Sequence, residues 1–393
     1  MEIKKYSKYL ASLLINGSPA YLPKEILRDL LGIRNKTLQN DKHIDAAINW
    51  ILTAQKANDD GGVPAFYSLY QGWQPSYCET TGYIIPTMLN YYNKTKDDKI
   101  KKSAIRMADW ELTKQMKSGG FPGGAIGDKE IPIVFNTGQV LFGLARVFQE
   151  TKNEKYRKAA ERAADWLVKI QNKNGCWDKF TYLNTTHTYN ARTAWAMLHV
   201  YDITGKKDYL NSAIKNFDWA LKQQIENGWF MRNGFFEKQE PLLHTIAYAI
   251  QAILEAGIYL KNKKYINSAK KSADVLLKLQ RTDGSLAGTF DNNWKSSVAW
   301  SCLTGNLQTS IIWLRFYSLT KNKKYLTASK KINNFVKSTQ DINSGNKGIR
   351  GGIKGAYPIY GWYAPFCYLN WAVKFFIDAL MLEEDLNVGD KLG

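Results

Sequence analysis

The chain alternates between two kinds of helical segment, which differ in where their apolar residues fall. One kind has a single apolar stripe and a lysine-rich face, which is typical of a helix exposed on one side. The other kind, such as the run from Thr245 to Ala256, is apolar on most sides and is expected to lie inside the first. Six such pairs predict twelve helices arranged in two layers.

A seven-residue phrase that begins with Asp or Asn, usually continues with Trp and ends with Gln marks the end of each lysine-rich helix. It recurs six times at intervals of 53 to 60 residues. A glycine turn follows each phrase, and glycine ends helices because it adopts left-handed backbone angles at low cost. The period is longer than the ~34 residues of tetratricopeptide repeats and the ~40–47 of HEAT or armadillo repeats. The six glutamines are Gln55, Gln115, Gln171, Gln224, Gln280 and Gln340.

The predicted fold is therefore all-α, an (α/α)6 toroid in which six helical hairpins close into a ring. Residues 41–385 are expected to form the toroid, residues 1–40 a helical extension packed outside it, and residues 386–393 a tail. The inner helices are predicted at about 78–93, 135–150, 188–204, 241–258, 300–319 and 364–382.

The repeated phrase resembles those of the α/α toroids, which include terpene cyclases, prenyltransferase subunits and many polysaccharide-acting enzymes, uronate lyases and epimerases among them. In these folds the loops from outer to inner helix line the active mouth, and here those loops are long and rich in aromatic residues. Segments 241–248, 302–306, 357–371 and 79–83 resemble an uncharacterised toroid family associated with bacterial and archaeal polysaccharide-biosynthesis clusters. This resemblance implies the fold and a glycan context, but it supplies no established reaction.

Motifs for other chemistries are absent from the sequence. There is no Asp-x-Asp-Asp motif for cyclisation by protonation, no Asp, Cys and His set for a zinc prenyltransferase, and no Walker, dinucleotide or nucleophile-elbow motif. No cluster resembles a zinc or calcium site, so we predict neither metal nor cofactor. A terpene cyclase-like enzyme stays as an alternative, and it requires a cavity without charged groups at its floor.

The formal net charge of +19 favours an anionic partner, and an oligo- or polysaccharide or a glycan precursor is the main candidate. Because the lysines are spread over helix surfaces, the net charge fits compositional drift equally well. They form no nucleic-acid-binding motif, so we predict no nucleic-acid partner. No run approaches the ~20 apolar residues that span a bilayer, and the first residues lack the features of a signal peptide. We therefore predict a cytoplasmic protein without a transmembrane segment, leaving peripheral membrane contact and oligomeric state open.

Aromatic and amide side chains are concentrated in the mouth-side segments, as they are in sugar-binding sites. Simple packing of the long loops is the alternative role of each ring. The predicted substrate-binding residues are Trp73, Tyr83, Trp177, Asp178, Asn190, Tyr248, Trp294, Asn306, Tyr357, Tyr360 and Tyr363.

The predicted catalytic residues lie near the starts of inner helices and are His187, Tyr189, Arg192, His244 and Glu79. This set suits removal of the C5 proton of a uronate, because Arg stabilises the enolate-like charge and His or Tyr removes the proton. Elimination of the 4-linked group makes the enzyme a lyase, and return of the proton to the other face makes it a C5-epimerase. His187 is the leading base, with a binding or capping role as its alternative.

Two further functions stay open. Glycoside hydrolysis needs two carboxyl groups across the scissile bond, and Glu79, Asp178, Glu237, Glu240 and Asp291 are the mouth-side candidates. The other function is a non-catalytic toroid that binds a glycan or a lipid-linked intermediate. Of the remaining histidines, His43 is expected at the surface and His199 in the core.

Overall fold

Thirteen α-helices make up most of the computed structural model, which describes residues 21–124, 131–236 and 239–391. Helix α1 (Tyr21–Leu30) precedes the ring. The outer helices are α2 (Asn40–Asn58), α4 (Asp98–Lys114), α6 (Glu154–Ile170), α8 (Lys207–Leu221), α10 (Lys263–Leu279) and α12 (Lys323–Thr339). The inner helices are α3 (Cys78–Thr95), α5 (Val134–Thr151), α7 (Ala191–Thr204), α9 (Leu243–Tyr259), α11 (Leu303–Thr320) and α13 (Asn370–Lys391).

The inner helices form a closed ring, since each contacts the next and α13 contacts α3. The predicted (α/α)6 toroid is thereby confirmed. Glycine allows some of these helices to approach closely: a Cβ atom on Gly143 would lie 2.3 Å from the carbonyl oxygen of Gly82. A Cβ atom on Gly305 would lie 2.7 Å from the backbone nitrogen of His244. The second contact brings the first turn of α11 against that of α9, at the mouth of the ring.

The six repeated glutamines connect each outer helix to the next. The Nε2 atom of Gln171 donates to the carbonyl of Gly175, in the turn that follows it, and to that of Ser212, in α8, both at 2.9 Å. Gln340 closes the ring in the same way, because its Nε2 atom donates to Gly351 and, at 3.3 Å, to His43 in α2. Equivalent pairs of bonds are made by Gln55, Gln115, Gln224 and Gln280.

His43 takes part in this closure rather than facing solvent. It is buried, and its Nδ1 atom lies 2.6 Å from the Oε1 atom of Gln340. The expectation of a surface histidine is therefore wrong, because the last outer helix packs on the start of the first and covers it.

Short β-strands join the mouth-side loops. Strand β1 (Phe66–Ser68) pairs antiparallel with β2 (Gly72–Trp73) and with β5 (Cys367–Leu369), so the first loop is bonded to the last. Strand β3 (Ser301–Cys302) pairs with β4 (Ala356–Tyr357). These pairings tie non-consecutive parts of the chain together around the site.

Helix α1 packs against the sixth mouth-side loop through buried charges. The Nζ atom of Lys354 lies 3.0 Å from Glu25 and 2.7 Å from Asp29, and the second oxygen of Asp29 accepts the Ile359 N–H at 2.7 Å. At the other end of the chain, α13 continues through Lys391, so residues 386–391 are helical where a tail was predicted. Within the described ranges, no helix has the length and apolar character needed to cross a bilayer.

Candidate active site

A cavity of about 540 Å³, called the mouth cavity below, opens at the end of the ring where the inner helices begin. Residues in or just before the first turns of different inner helices line it: Glu79, Asn136, Tyr189, His244 and Trp371. Isoleucine and aromatic side chains of the loops make much of the remaining wall apolar. The hairpin repeat therefore brings polar side chains that are far apart in sequence to one height in the ring.

Glu79 is the acid of this cavity. The Tyr77 hydroxyl donates to its Oε2 atom at 2.7 Å, and Tyr77 in turn accepts from the Asn136 side-chain amide at 3.2 Å. Burial raises the pKa of Glu79 to about 7, although the Tyr77 hydrogen bond and the charge of Arg192 both lower it. The part of the side chain that remains accessible faces the cavity. Near neutral pH both protonation states are therefore populated, as general acid–base catalysis requires.

His244 presents an unprotonated nitrogen in the same cavity. Its Nδ1 atom lies 2.8 Å from the Oε1 atom of Gln308, and because an amide oxygen only accepts, Nδ1 carries the proton. Burial, together with the charge of Arg192, lowers the pKa of His244 to about 4. The ring also packs 4.4 Å from that of Tyr248, centroid to centroid. His244 is therefore a neutral imidazole whose Nε2 lone pair is available to a bound molecule.

Arg192 lies buried beneath the cavity. Its Nε and Nη1 atoms donate to the amide oxygens of Gln139 and Gln251, at 2.7 and 3.3 Å, and it makes no salt bridge with any described residue. The positive charge of Arg192 affects the cavity above it, since it lowers the pKa of both Glu79 and His244. The guanidinium is surrounded by the rings of Tyr83, Phe142, Trp195, Tyr248 and Phe375, whose centroids are 4.9 to 5.8 Å away.

Tyr189, Tyr248 and Tyr363 are among the tyrosines that line the wall, and Tyr83 lies below them. Burial raises the pKa of each, so they act as neutral hydrogen-bond donors rather than as bases. The Tyr363 hydroxyl accepts from the Trp371 indole at 2.9 Å. The buried Tyr248 hydroxyl interacts with that of Tyr83, and neither has a hydrogen bond of normal geometry to a described residue.

The structure places His187 outside this cavity, in a neighbouring groove of about 680 Å³. Its Nε2 atom lies 2.8 Å from the carbonyl oxygen of Tyr182 and its Nδ1 atom 3.1 Å from that of Gly234, so both ring nitrogens contact loop backbone. The ring stacks on Tyr189 at 4.6 Å. His187 therefore joins the third and fourth mouth loops and supports Tyr189. The adjacent Asn190 is buried, with neither side-chain polar atom bonded to a described residue.

Three of the predicted sugar-stacking rings pack within the protein instead of lining the cavity. Trp177 is buried, and its indole donates to the Leu167 carbonyl at 3.0 Å. Trp294 is buried 5.0 Å from the ring of Trp229, and Trp73 packs 5.1 Å from Trp50. These three rings therefore pack the loops, which was the alternative to sugar stacking.

Other predicted binding residues are also apart from the cavity. The Asn306 amide group accepts from the Leu286 N–H and donates to the Cys302 carbonyl, both at 2.8 Å, so it fixes the start of α11. The Tyr357 ring lies under the Arg34 guanidinium, 4.1 Å from its centroid, and Tyr360 is exposed.

Of the predicted carboxylates that the structure describes, Glu79 lies in the mouth cavity and the others lie elsewhere. Asp178 lines a separate shallow depression, whereas Glu240 and Asp291 both line the neighbouring groove, where Glu240 accepts from the Thr289 hydroxyl at 2.6 Å. Glu237 lies outside the described residues. Of the lining residues that the structure describes, Glu79 is the only one with a carboxyl group. Across the same described ranges, no three His, Cys, Asp or Glu side chains are grouped to hold a metal ion.

Sequence reasoning missed three residues that shape the site: Asn136, Gln308 and Trp371. Asn136 and Gln308 lie in or close to the first turn of an otherwise apolar inner helix, as Glu79 and His244 do. That shared position is the signal that would have identified the two amides.

Comparison with known proteins shows which fold the chain shares. The model of the pectic acid lyase family matches residues 136–196, and no curated protein matches the sequence. The structure resembles an unsaturated glucuronyl hydrolase specific for heparin, with a TM-score of 0.73 and 15% identity over 88% of this chain and 97% of that one. It also resembles a D-mannose isomerase, with a TM-score of 0.68 and 13% identity over 88% of this chain and 97% of the isomerase. A cellobiose 2-epimerase from Bacillus thermoamylovorans has a TM-score of 0.68 and 13% identity over 92% of this chain and 98% of the epimerase. At these identities the likeness shows the architecture, and the chain has the (α/α)6 toroid fold of these carbohydrate enzymes.

Proposed function

We propose that the protein is a carbohydrate-active enzyme that removes the C5 proton of a uronate in an anionic glycan or glycan precursor, leading to epimerisation or elimination. One observation carries the proposal. A single cavity combines the neutral imidazole of His244, with Nε2 unprotonated, and the Glu79 carboxyl, whose pKa is about 7, above the buried Arg192. The pectic acid lyase match supports it, because residues 136–196 include Asn136, Tyr189 and Arg192.

His244 is the base in this mechanism. Its Nε2 atom accepts the C5 proton, and the negative charge left behind spreads onto the uronate carboxylate as an enolate. A bound uronate places negative charge beside the imidazole and so raises its pKa, which makes His244 a stronger base only when the correct substrate is present. The Gln308 oxygen continues to accept from Nδ1 while the ring is charged.

Arg192 and Tyr248 stabilise the enolate. The guanidinium lies beneath the cavity without a carboxylate partner among the described residues, so its field is available to charge that develops above it. Tyr248, which lines the cavity and is neutral because burial raises its pKa, adds a hydroxyl donor.

Glu79 is the proton donor. In its neutral form it either protonates C5 from the opposite face, which inverts the centre, or protonates the 4-linked oxygen as the C4–O bond breaks. In the second case a C4=C5 double bond forms and the glycan chain is cleaved. Epimerase and lyase thus share the first step and differ in which atom receives the proton.

The alternative functions fit less well. Hydrolysis by a pair of carboxyl groups lacks a second acid in the described cavity wall, and a terpene cyclase needs an uncharged floor, whereas Glu79 and Arg192 are there. A binding-only toroid would leave the shifted pKa of Glu79 without a role. One second candidate is hydrolysis of an unsaturated uronyl sugar, favoured by the fold shared with an unsaturated glucuronyl hydrolase and by the presence of a single cavity acid.

Proton NMR in D2O, with a panel of uronate oligosaccharides, tests the proposal. We expect an epimerase to place deuterium at C5 without an alkene signal. A lyase instead removes the C5 proton for good, so its product lacks the H5 signal and shows a new H4 alkene signal. Loss of an existing alkene signal would instead identify the second candidate, and new reducing ends without exchange would indicate ordinary hydrolysis.

Two histidine variants make the test specific to the cavity. His244→Gln should slow exchange by about 10²–10⁴-fold, as expected for loss of a general base. His187→Gln, which changes a loop contact, should retain exchange within the same order of magnitude as the native protein. If exchange survives His244→Gln unchanged, the assignment of the base is wrong.

A further inference from the structure

A second cavity, of about 550 Å³, lies at the opposite end of the ring, where the inner helices end. It opens beside Asn90 and Asn93, which are exposed at the end of α3, and it extends inward to Arg192. It shares no lining residue with the mouth cavity. Arg192 and the rings around it therefore separate two distinct spaces inside the toroid.

The charged groups that line this lower cavity, among the described residues, are mostly basic: Lys94, Arg146, Arg192 and Lys374 against Asp378 and Asp385. Lys94 and Arg146 each have a carboxylate partner of their own. The Nζ atom of Lys94 lies 2.6 Å from Asp385, and the Nη1 atom of Arg146 lies 3.1 Å from Glu150. The two remaining cations, Arg192 and Lys374, have one described carboxylate between them, that of Asp378, so the surplus positive charge lies there.

At this inner end, two buried cations share a single carboxylate. The Nζ atom of Lys374 lies 2.5 Å from one oxygen of Asp378, whose other oxygen accepts from the Thr87 hydroxyl at 2.8 Å. Arg192 bonds only to neutral amides, and its Nη2 atom has no partner among the described residues. Because a buried cation without a counter-ion is costly, this arrangement favours a bound anion.

Rings beside these cations provide room for more than a bare anion. Trp195 and Phe142 line the cavity with centroids 4.9 Å apart, and His199 packs 5.3 Å from Phe142. Gln251 adds an amide to the wall. Such a surface suits a sugar-sized group, whose apolar face stacks on rings while its hydroxyls bond to amides.

We propose that the lower cavity binds a phosphate-bearing molecule of the size of a hexose phosphate, with the phosphate between Arg192 and Lys374. Two cationic donors from different helices match the charge and the several acceptor oxygens of a phosphate group. Arg192 belongs to both proposals, but the two cavities share no lining residue, so phosphate binding here and C5 chemistry in the mouth cavity are measured separately.

Isothermal titration calorimetry of the full chain with glucose 6-phosphate, at constant ionic strength, tests the site, with glucose and inorganic phosphate as comparators. We expect saturable binding at one site per chain, tighter than that of inorganic phosphate, and no binding of glucose. Lys374→Met should raise the Kd about tenfold or more, because a charged hydrogen bond is lost.

Two further variants separate a specific site from general attraction to a basic protein. Asp378→Asn should lower the Kd severalfold, because it frees the Lys374 ammonium, and this opposite sign would not arise from a folding defect. Lys270→Met should leave the Kd unchanged, since Lys270 makes the same 2.5 Å contact with Asp274 four residues on, but on an outer helix.

Three outcomes would overturn the proposal. They are the absence of saturable binding, a Kd that Lys374→Met leaves unchanged in a variant whose circular dichroism is native, and equal loss of affinity in Lys270→Met. Inorganic phosphate binding as tightly as glucose 6-phosphate would overturn the sugar-sized part of the assignment.

Discussion

Replacing Glu79 with glutamine should stabilise the fold while removing the acid of the mouth cavity. The amide keeps the size of the side chain and can still accept the hydrogen bond from Tyr77, but it cannot ionise. Burial raises the pKa of Glu79 from an ordinary value of 4.5 to about 7. Between these two pH values the folded protein holds a proton that the unfolded chain has released.

The sign of the effect follows from this difference in bound protons. Where the folded state binds more protons than the unfolded state, the free energy of unfolding falls as the pH rises, by up to about 1.4 kcal/mol per pH unit for one group. The difference between the two pKa values corresponds to about 3 kcal/mol, and water in the cavity screens part of it. We therefore expect Glu79→Gln to be about 2–3 kcal/mol more stable than the native protein at about pH 8 and equally stable at about pH 4.

Urea unfolding followed by circular dichroism, across this pH range, measures the difference without requiring a known substrate. Tyr77→Phe serves as the companion variant, since loss of a hydrogen bond that lowers the Glu79 pKa should raise that pKa further. If the native protein and Glu79→Gln change stability in parallel from low to high pH, Glu79 ionises in the folded protein as it does in the unfolded chain. Its proposed role as a proton donor near neutral pH would then be refuted.

Three other substitutions test separate parts of the structure. Gln224→Ala should lower the free energy of unfolding by about 2 kcal/mol, because the side chain loses its hydrogen bonds to the following turn and to Ser268 and Ser272 of the next outer helix. Gln223→Ala, whose amide reaches only a carbonyl four residues back at 3.4 Å, should cost less than about 0.5 kcal/mol, and equal costs would contradict the argument. Burial raises the pKa of Glu111 well above its ordinary value, although a hydrogen bond with the Cys78 thiol lowers it. Glu111→Met should therefore stabilise the protein more at about pH 8 than at about pH 4 in urea titrations, and a pH-independent effect would count against this. Gln308→Met removes the acceptor that keeps the proton on Nδ1 of His244. We therefore expect C5 exchange to slow about tenfold or more with little change in KM. ¹⁵N NMR should show a mixture of imidazole tautomers in this variant and a single tautomer in the native protein.

The helices could be predicted because each carries its own apolar pattern and its own polar or glycine stop. The first inner helix was expected at about 78–93 and spans Cys78–Thr95, and the second was expected at about 135–150 and spans Val134–Thr151. The sixth was expected from residue 364 but begins at Asn370. The preceding residues form β5, which pairs with β1 across the ring closure, and a local apolar pattern does not record so distant a partner.

The site was predictable where a residue's position in its own helix decides its role. Glu79 and His244 are polar side chains at the start of apolar helices, and both line the mouth cavity. The loop aromatics were not predictable, because Trp177 packs in the core and Tyr363 lines the cavity although both occur in aromatic mouth-side segments. What separates them is which neighbouring hairpin covers the ring. His187 likewise sits beside the site, but its nitrogens are taken up by the backbone of two loops.

Closure of the ring by Gln340 and His43, and by β1 with β5, means that this repeat protein has no end repeats. An open solenoid can fray from its terminal units and can gain or lose a unit with little effect on the others, because each repeat contacts only its neighbours. In the toroid, removing one hairpin would break two interfaces at once and leave a gap that the remaining five cannot span. Unfolding should therefore be a single cooperative event, and the number of hairpins should be fixed at six even where loops lengthen or shorten.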